Sequence, residues 1–390
     1  MINKKRLVAL TQRIVQIDSQ NPPGNEVAVA AFLKKEMSGP GLEIKTYTFK
    51  PNRPNLVITL KGTLPRARAA KEAVLITPHY DTVPIGTGWK FPPHSGKIHQ
   101  GKIFGRGASD DKGNAAVCLE VMRSLIEDGV RPQRDIICAV TADEETGSHW
   151  GIIPLLEKKI LKPGVAAILD SDEFYTIIAQ KGLIHSKITI YGKKAHAAYN
   201  WRGFSAIEAA SRVIGRIKEL KIPYRKHRLL HGPTTNIGTI KGGDKVNIVA
   251  DTCEFTLDMR YPPGTDPHQL IGRIKGLIRK EVKKFKYEIM DFQLPYEIDE
   301  DHPAVKLYVA ASRRLRVPTT LMGSEGATVI TFFKKHGIPA FATGYGSRGT
   351  AHTTDEYCEI EKLYRGARVL ERYLKDYACA TRTTRGRSGS

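Results

Sequence analysis

His79 and Asp81 are the first residues of this sequence whose types and spacing could do chemistry. They lie in PHYDTVP, directly after the apolar run Val74–Thr77. In an extended chain, residues two apart share a face, so Asp81 can accept a hydrogen bond from His79. A metal-bound imidazole commonly donates its second N–H group to a carboxylate, which fixes the orientation of the ring. A His-x-Asp triplet also occurs in ordinary surface loops, so this pair alone does not establish a metal site.

Two acidic clusters follow along the chain. Asp110 and Asp111 stand in GRGASDDKG, just before a predicted helix from Asn114, where adjacent carboxylates repel each other unless cations are near. Asp111 could instead cap that helix. Glu144 and Glu145 follow the apolar strand DIICAV in TADEETGS, and acids at the end of such a strand are costly without a metal or a catalytic task. A solvated acidic loop is the alternative interpretation.

Two further segments complete the set of possible metal ligands. AAILDSDEF ends another apolar run in the acids Asp170 and Asp172, and GTAHTTDEY places His352 after a glycine-rich loop. The clusters together supply imidazoles and carboxylates from the ends of different strands. These are the donors from which a two-metal hydrolytic centre is built.

In this order and spacing, the four motifs PHYDTVP, GRGASDDKG, DEETGS and AHTTDEY resemble the M20 family of zinc metallopeptidases and amidohydrolases. That family includes acetylornithine deacetylase, succinyl-diaminopimelate desuccinylase, aminoacylase and glutamate carboxypeptidase. The resemblance implies a cofactor of two Zn²⁺ ions, in whose place Co²⁺ or Mn²⁺ could bind. It implies that His79 and Asp170 hold one ion, Glu145 and His352 hold the other, and Asp110 bridges both. Asp172 stays open as the alternative to Asp170.

The resemblance also implies roles for residues beside the metal ions. Asp81 would orient His79, and Glu144 would be the general base that takes a proton from a metal-bridging water and passes it to the leaving amine. His196, in GKKAHAAYNWRG, would donate a hydrogen bond to the oxyanion across a dimer interface. Without the motif, a single histidine after a strand would be interpreted as structural. The Asp110–Asp111 peptide bond is expected to be cis.

Substrates of this family usually carry a free carboxylate beside the scissile amide, so we expect a small anionic N-acyl amino acid or peptide. Arg260, in LDMRYPPG, has the planar guanidinium that suits carboxylate binding, and Asn247 is a second candidate contact. The backbone N–H groups of Gly344 and Gly346 could contact the same anion. Tyr345 stands where proline is frequent in the family. Because such departures lie around the substrate segments, deacylase and peptidase activities both stay open.

The elements that must position these residues form two domains in the prediction. Apolar runs alternate with helical segments, beginning with a helix stopped by the breaker Asn21–Gly24, which predicts an α/β sheet covered on both faces. From residue 182 the order becomes β-α-β-β-α, typical of a small antiparallel sheet. We therefore predict a zinc-peptidase-like α/β catalytic domain over 1–181 and 296–376. A ferredoxin-like α+β lid over 182–295 would mediate homodimerisation, and 377–390 would be a disordered basic tail.

Composition limits the remaining classes of function. The 390 residues carry 61 Lys and Arg against 40 Asp and Glu, a net charge of +21 that attracts anions of any kind. A basic nucleic-acid-binding protein, or a non-catalytic protein on the same fold, is therefore the alternative. The basic runs lack interleaved aromatic residues and a recognition motif, which disfavours nucleic acid.

Cysteine usage and the N-terminus predict where the protein works. The five cysteines include no C-x-x-C pair, which argues against a disulfide framework. No signal peptide is recognisable, and no apolar run reaches the length of about 18 residues that a membrane span needs. We therefore expect a cytoplasmic protein with no membrane partner.

Overall fold

The computed structural model describes residues 1–379, which divide into two units. The first unit consists of Met1–Ile178, Ile298–Met322 and the described residues from Thr328 onwards. The second consists of Ala179–Glu297 together with the short segment Gly323–Ala327. The second unit thus includes a return segment that lies outside the predicted range of the lid.

Helices and strands alternate along the described chain. The helices are α1 (Lys4–Val15), α2 (Val27–Met37), α3 (Arg66–Lys71), α4 (Lys112–Glu127), α5 (Ile152–Glu157), α6 (Ala206–Glu219), α7 (Pro267–Glu281), α8 (Pro303–Arg314), α9 (Ile330–Lys335) and α10 (Ile360–Cys379). The strands are β1 (Glu43–Thr48), β2 (Pro54–Leu60), β3 (Val74–Thr77), β4 (Lys97–His99), β5 (Lys102–Phe104), β6 (Ile136–Val140), β7 (Val165–Leu169), β8 (Tyr175–Gln180), β9 (Gly182–Tyr191), β10 (Thr234–Gly242), β11 (Thr252–Tyr261), β12 (Phe285–Gln293), β13 (Tyr296–Glu297), β14 (Thr320–Ser324), β15 (Ala340–Thr343) and β16 (Tyr357–Glu359).

A large mixed sheet forms the core of the first unit, with strand order β1-β2-β6-β3-β7-β15-β8. Its central strands β6, β3, β7 and β15 are mutually parallel, whereas β1 and β2 are antiparallel additions at one side. Every residue of β3 and β7 is buried, as expected for parallel strands that are covered on both faces. The α/β fold class predicted from the alternation is confirmed.

The last helix defines the end of the described chain. Helix α10 continues through Cys379 because its buried face, which includes Tyr373, Leu374 and Ala378, continues to the final turn. Residues 377–379 are therefore helical, although the prediction placed them in the tail. The rest of that predicted tail, 380–390, lies outside the described residues.

The second unit is a four-stranded antiparallel sheet in the order β10-β11-β9-β12, with helices α6 and α7. Alternate residues of β9 and β11 are buried, and they join the apolar faces of both helices in one core. Strand β12 completes the β-α-β-β-α-β order of a ferredoxin-like unit. No strand was predicted over β12, because its segment FKYEIMDFQ is at most partly buried and lacks the apolar alternation of a half-buried strand.

Two further findings concern the chain as far as it is described. All five cysteines are free thiols. Within residues 1–379, no helix combines the length and the apolarity that crossing a membrane requires.

Candidate metal centre

Three neighbouring parallel strands deliver acids and an imidazole to one edge of the sheet. His79 and Asp81 follow β3, Glu144 and Glu145 follow β6, and Asp170 follows β7 directly. Because the carboxyl ends of parallel strands meet at the same edge, residues far apart in sequence come together there. This is the topological reason why three separate motifs form one site.

Asp110 reaches the site from the loop that precedes α4. The backbone N–H groups of Ser109 and Asp110 both donate to Glu356 Oε1, at 2.9 and 3.0 Å. Glu356 is itself buried and paired with Arg106 at 2.7 Å. The Asp110–Asp111 peptide bond is cis, as expected from the resemblance. The position of Asp110 is therefore determined by a buried carboxylate at a distant point in the sequence.

The two oxygen atoms of Asp110 face two different histidines. His79 Nε2 lies 3.0 Å from Asp110 Oδ1, and His352 Nε2 lies 3.1 Å from Asp110 Oδ2. His352 Nε2 also lies 3.2 Å from Glu145 Oε2. A carboxylate shared in this way has the arrangement of a ligand that bridges two cations.

Two groups of potential ligand atoms meet at His79. His79, Asp110 and Glu145 form one group, and His79, Glu144 and Asp170 form the other, with the ligand atoms of each group within 4.8 Å of one another. The structure thus brings Asp170 into the cluster. The alternative residue, Asp172, belongs to neither group among the described residues and forms a bridge with Gly346 instead.

Asp81 contacts more of the site than the sequence suggested. His79 Nδ1 lies 3.1 Å from the backbone carbonyl oxygen of Asp81 and 3.4 Å from its Oδ1. The backbone N–H groups of Glu144 and Glu145 donate to Asp81 Oδ1 and Oδ2, at 3.0 and 3.1 Å. One fully buried carboxylate therefore links the imidazole to the turn that carries both glutamates.

Burial and mutual repulsion act on the acids of this cluster. Burial, together with the nearby Asp110 charge, raises the pKa of Asp170 to about 7. Burial and the Asp170 charge raise the pKa of Glu144 well above its ordinary value, and burial also raises that of Glu145. Acids with raised pKa values gathered at one edge are the electrostatic signature of a site that favours a bound cation.

The pKa values of the two imidazoles are also raised, which favours their charged form. Hydrogen bonds to Asp110 and Glu145 raise the pKa of His352 to about 10. Burial opposes a charge on His79, but Asp110 and Asp81 outweigh it and raise the pKa of that ring well above the ordinary value. The site therefore draws positive charge into itself. Imidazole nitrogen and carboxylate oxygen are donors that fit Zn²⁺, so the residues present suit the metal that the motifs imply.

Asp111 does not act as the side-chain cap that was the alternative expectation. It occupies the position before α4, but its carboxylate makes no capping bond. Asp111 Oδ2 accepts the backbone N–H of His79 at 3.0 Å, and Oδ1 accepts from Asn114 Nδ2 at 2.6 Å. Asp111 thus fixes the backbone of His79 rather than the start of the helix.

The two glycines predicted to contact an anion lie where a side chain would not fit. A Cβ on Gly344 would lie 1.8 Å from the carbonyl oxygen of Ser171, and one on Gly346 would lie 2.6 Å from Ser109 Oγ. Tyr345 between them is fully buried and lies 3.2 Å from the hydroxyl of Tyr308. The side chain at this departure from the family pattern therefore packs in the core.

Three predicted substrate contacts lie in the second unit. His196 is exposed, and its Nδ1 accepts the backbone N–H of Ala198 at 3.1 Å. Asn247 is exposed as well, and its backbone carbonyl oxygen accepts the backbone N–H of Ala197 at 3.0 Å. Arg260 already has a carboxylate partner, since Nε lies 2.8 Å from Asp258 Oδ1 and NH2 lies 3.0 Å from Oδ2.

Sequence reasoning missed Glu356 and Asn21. Glu356 stands four residues after His352 in AHTTDEY, and an acid so close to a predicted ligand was the available signal. Asn21 was treated only as part of a helix breaker, yet its side chain donates to Asp81 Oδ2 at 2.8 Å. Nothing in the local pattern indicates that contact.

Comparison with known proteins agrees with the geometry. A sequence profile of peptidase family M20/M25/M40 matches residues 75–376. An acetylornithine deacetylase from Vibrio cholerae is 27% identical over 378 residues, which cover 94% of this chain and 96% of that protein. Aminopeptidase PepT from Bacillus cereus shares the fold, with a TM-score of 0.80, 24% identity, and coverage of 97% of this chain and 99% of that one. The YxeP protein of Bacillus subtilis, described as a dinuclear metal binding peptidase, has a TM-score of 0.72 at 14% identity, covering 96% and 98% of the two chains.

Proposed function

The chain belongs to peptidase family M20/M25/M40, and from this premise we propose that it hydrolyses an amide bond next to a free carboxylate, using two Zn²⁺ ions. The family relationship makes it a metal-dependent hydrolase. The observation that carries the two-ion proposal is the Asp110 carboxylate, whose two oxygen atoms face His79 and His352 separately. Deacylation of an N-acyl amino acid and cleavage of a dipeptide are the two forms that the proposal takes.

In this proposal the ligands divide between two ions, and the division goes beyond the two geometric groups, because both groups contain His79 and neither contains His352. His79 and Asp170 would hold one ion, Glu145 and His352 the other, and Asp110 both. Bound there, the ions would lower the pKa of a water molecule between them and polarise the scissile carbonyl. The buried hydrogen bonds to Asp110 and His79 would hold the ligands in place before a metal ion arrives.

Glu144 is the proposed general base. Its carboxylate lies within the group formed with His79 and Asp170, and its backbone is fixed by Asp81. Burial raises its affinity for a proton, as a group that must accept one requires. Glu144 would take the proton of the attacking water and deliver it to the nitrogen of the leaving amine.

In this proposal, residues of the second unit bind the substrate, and the positive net charge of the chain attracts it. The excess of basic residues favours an anionic substrate. Arg260 would bind the carboxylate of the substrate, and the guanidinium would then be shared with Asp258. Asn247 would add a polar contact to the substrate. His196 would stabilise the oxyanion in a homodimer.

Free thiols suit a reducing compartment, so we propose a cytoplasmic location.

The decisive experiment pairs turnover with metal content. A panel of N-acetyl amino acids and dipeptides should be hydrolysed, the activity should vanish with a chelator, and Zn²⁺ or Co²⁺ should restore it. Glu144→Gln should lower kcat by at least 10²-fold while both metal ions stay bound. Glu361→Gln is the matched control, because that glutamate is exposed and pairs only with Lys4 among the described residues. A Glu144→Gln variant with near-normal turnover would refute the assignment of the base.

The role of His196 has its own test. His196→Ala should lower kcat without loss of metal, because this histidine is assigned to the oxyanion and not to an ion. Metal content measured by atomic absorption alongside the turnover number separates the two roles. A fall in bound zinc would contradict the proposed role.

A further inference from the structure

A series of buried polar side chains leads to Asp81 from the N-terminal part of the first unit. Asn21 Nδ2 donates to Asp81 Oδ2 at 2.8 Å and to Thr146 Oγ1 at 2.9 Å. Asn21 Oδ1 accepts from NH2 of Arg53 at 2.8 Å. NH1 of the same guanidinium donates to Glu26 Oε1 at 2.7 Å. Four side chains thus form one hydrogen-bonded path that ends at the carboxylate beside His79.

This path is buried along its whole length. The exposed fractions of Glu26, Arg53 and Asn21 are 0%, 5% and 1%. Desolvating a charged pair is costly, and an apolar replacement is often equally stable, so stability alone does not account for an ion pair here. Gly24 also serves the path, since a Cβ there would lie 1.8 Å from Arg53 Cζ. The glycine of the helix breaker leaves the space that the guanidinium occupies.

Arg53 determines which way the Asn21 amide faces. A reversed amide would direct its oxygen at the carboxylates of Asp81 and Asp143, which lie 2.8 and 3.4 Å from Nδ2 in the observed orientation. It would also direct its NH2 group at the guanidinium, which has only donors to offer. Both contacts would be repulsive. The cation therefore fixes the amide with its donor toward Asp81.

The Asn21 amide in turn contacts both segments that carry the site. Asp81 Oδ2 receives Asn21 Nδ2 and the backbone N–H of Glu145 together. Thr146, which also receives the amide, directly follows Glu145. One side chain thus connects the loop after β3 to the turn after β6, and that turn holds the proposed base and a proposed ligand.

We propose that Asn21 and Arg53 are positioning residues of the metal centre. Arg53 fixes the amide, and the amide holds Asp81 and the Glu144–Thr146 turn in the arrangement that presents His79 and Glu145 to a metal ion. The inference rests on the proposed function and adds to it two residues that contact no proposed metal ligand directly through their side chains. Replacing a partner that hydrogen-bonds directly to a metal ligand commonly changes metal affinity by about 10–100-fold, and Asn21 and Arg53 act at least one contact further away, so the lower limit is expected for them.

The test measures metal affinity in variants of the full chain. Asn21→Asp keeps the size of the side chain but replaces the donor to Asp81 with a carboxylate oxygen. Arg53→Gln removes the cation, and Arg53→Lys restores it. Arg6→Gln is the matched control, because Arg6 pairs with the buried Glu120 at 2.6 Å in the same unit. The readouts are Co²⁺ affinity by competition with a chelator, the visible Co²⁺ spectrum, the thermal midpoint, and kcat and KM separately.

We expect Asn21→Asp and Arg53→Gln to bind Co²⁺ roughly tenfold more weakly or worse, with an altered visible spectrum. Their kcat should fall while KM stays near the wild-type value, and Arg53→Lys should recover most of the affinity. Arg6→Gln should lower the thermal midpoint but leave the Co²⁺ spectrum unchanged. If Asn21→Asp and Arg53→Gln both bind Co²⁺ as tightly as the wild-type protein does, the inference is overturned but the proposed function is not. A wild-type protein that binds no Co²⁺ would overturn the proposed function and the inference with it.

Discussion

Replacing Glu356 by glutamine should destabilise the first unit by about 3 kcal/mol. Glu356 and Arg106 form an ion pair at 2.7 Å, with side chains only 1% and 3% exposed. The substitution keeps an oxygen that can accept the backbone N–H groups of Ser109 and Asp110. It removes the negative charge and leaves the guanidinium buried without its counter-charge.

The magnitude follows from what Arg106 keeps. Removing one partner of a buried ion pair typically costs about 3–5 kcal/mol, because the remaining charge stays desolvated. NH1 of Arg106 still donates to the carbonyl oxygen of Thr353 at 3.1 Å, and NH2 to that of Pro84 at 3.2 Å. Its guanidinium also lies 5.1 Å from the ring centre of Trp89. These contacts offset part of the loss, which places the expected change near the lower limit.

Urea unfolding followed by circular dichroism measures the change. Glu361→Gln is the control, because it breaks an exposed ion pair with Lys4 and should cost less than about 1 kcal/mol. The double variant with Arg106→Met should cost less than the sum of the two single changes, since it leaves no unpaired charge. A loss below 1 kcal/mol in Glu356→Gln, or strict additivity in the double variant, would refute the reasoning.

Three other results are expected. In the metal-free protein, the urea midpoint of unfolding should fall as pH rises from about 4 to 7. The pKa of Asp170 is raised from 3.8 to about 7, so over this range the folded state keeps a proton that the unfolded state loses. A midpoint that rises over this range would contradict the prediction. Gly344→Ala should lower the thermal midpoint, since its Cβ would meet the carbonyl oxygen of Ser171 at 1.8 Å, whereas Gly215→Ala, with open space in α6, should not. Arg260→Ala should raise KM for substrates with a free carboxylate but not for the corresponding amides; equal effects on both would argue against carboxylate binding.

The clustering of the proposed ligands could be predicted from the sequence, because the order of the motifs and their positions at strand ends constrain it strongly. Asp170 and Asp172 were both open on sequence grounds. The structure separates them, because β7 ends at Leu169 and the next residue stands at the strand's carboxyl end. Two residues further on, the chain has already turned to pair with Gly346. The distance of each aspartate from the end of β7 therefore distinguishes Asp170 from Asp172, and the sequence pattern did not define that strand end.

Residues that hydrogen-bond to the site residues but are not themselves proposed ligands could not be predicted in the same way. Asn21 and Asp81 are 60 residues apart, and Glu356 and Asp110 are 246 apart. Their contacts depend on the packing of distant segments, and a single asparagine or glutamate in a loop has no periodicity that would indicate its partner. Strand β12 was missed for a related reason, because its exposed positions carry no apolar alternation.

The balance of charge explains why this arrangement calls for cations from outside the chain. The buried cations that flank the cluster already have partners, since Arg53 pairs with Glu26 and Asp143, and Arg106 pairs with Glu356. Lys112 donates to the carbonyl oxygen of Ile17, and burial lowers its pKa to about 8. None of these three pairs with Glu144, Glu145 or Asp170, and burial together with mutual repulsion raises the pKa values of those acids. The backbone hydrogen bonds to Asp81 keep Glu144 and Glu145 in place, so bound divalent ions would take over the compensation that retained protons provide in the metal-free protein.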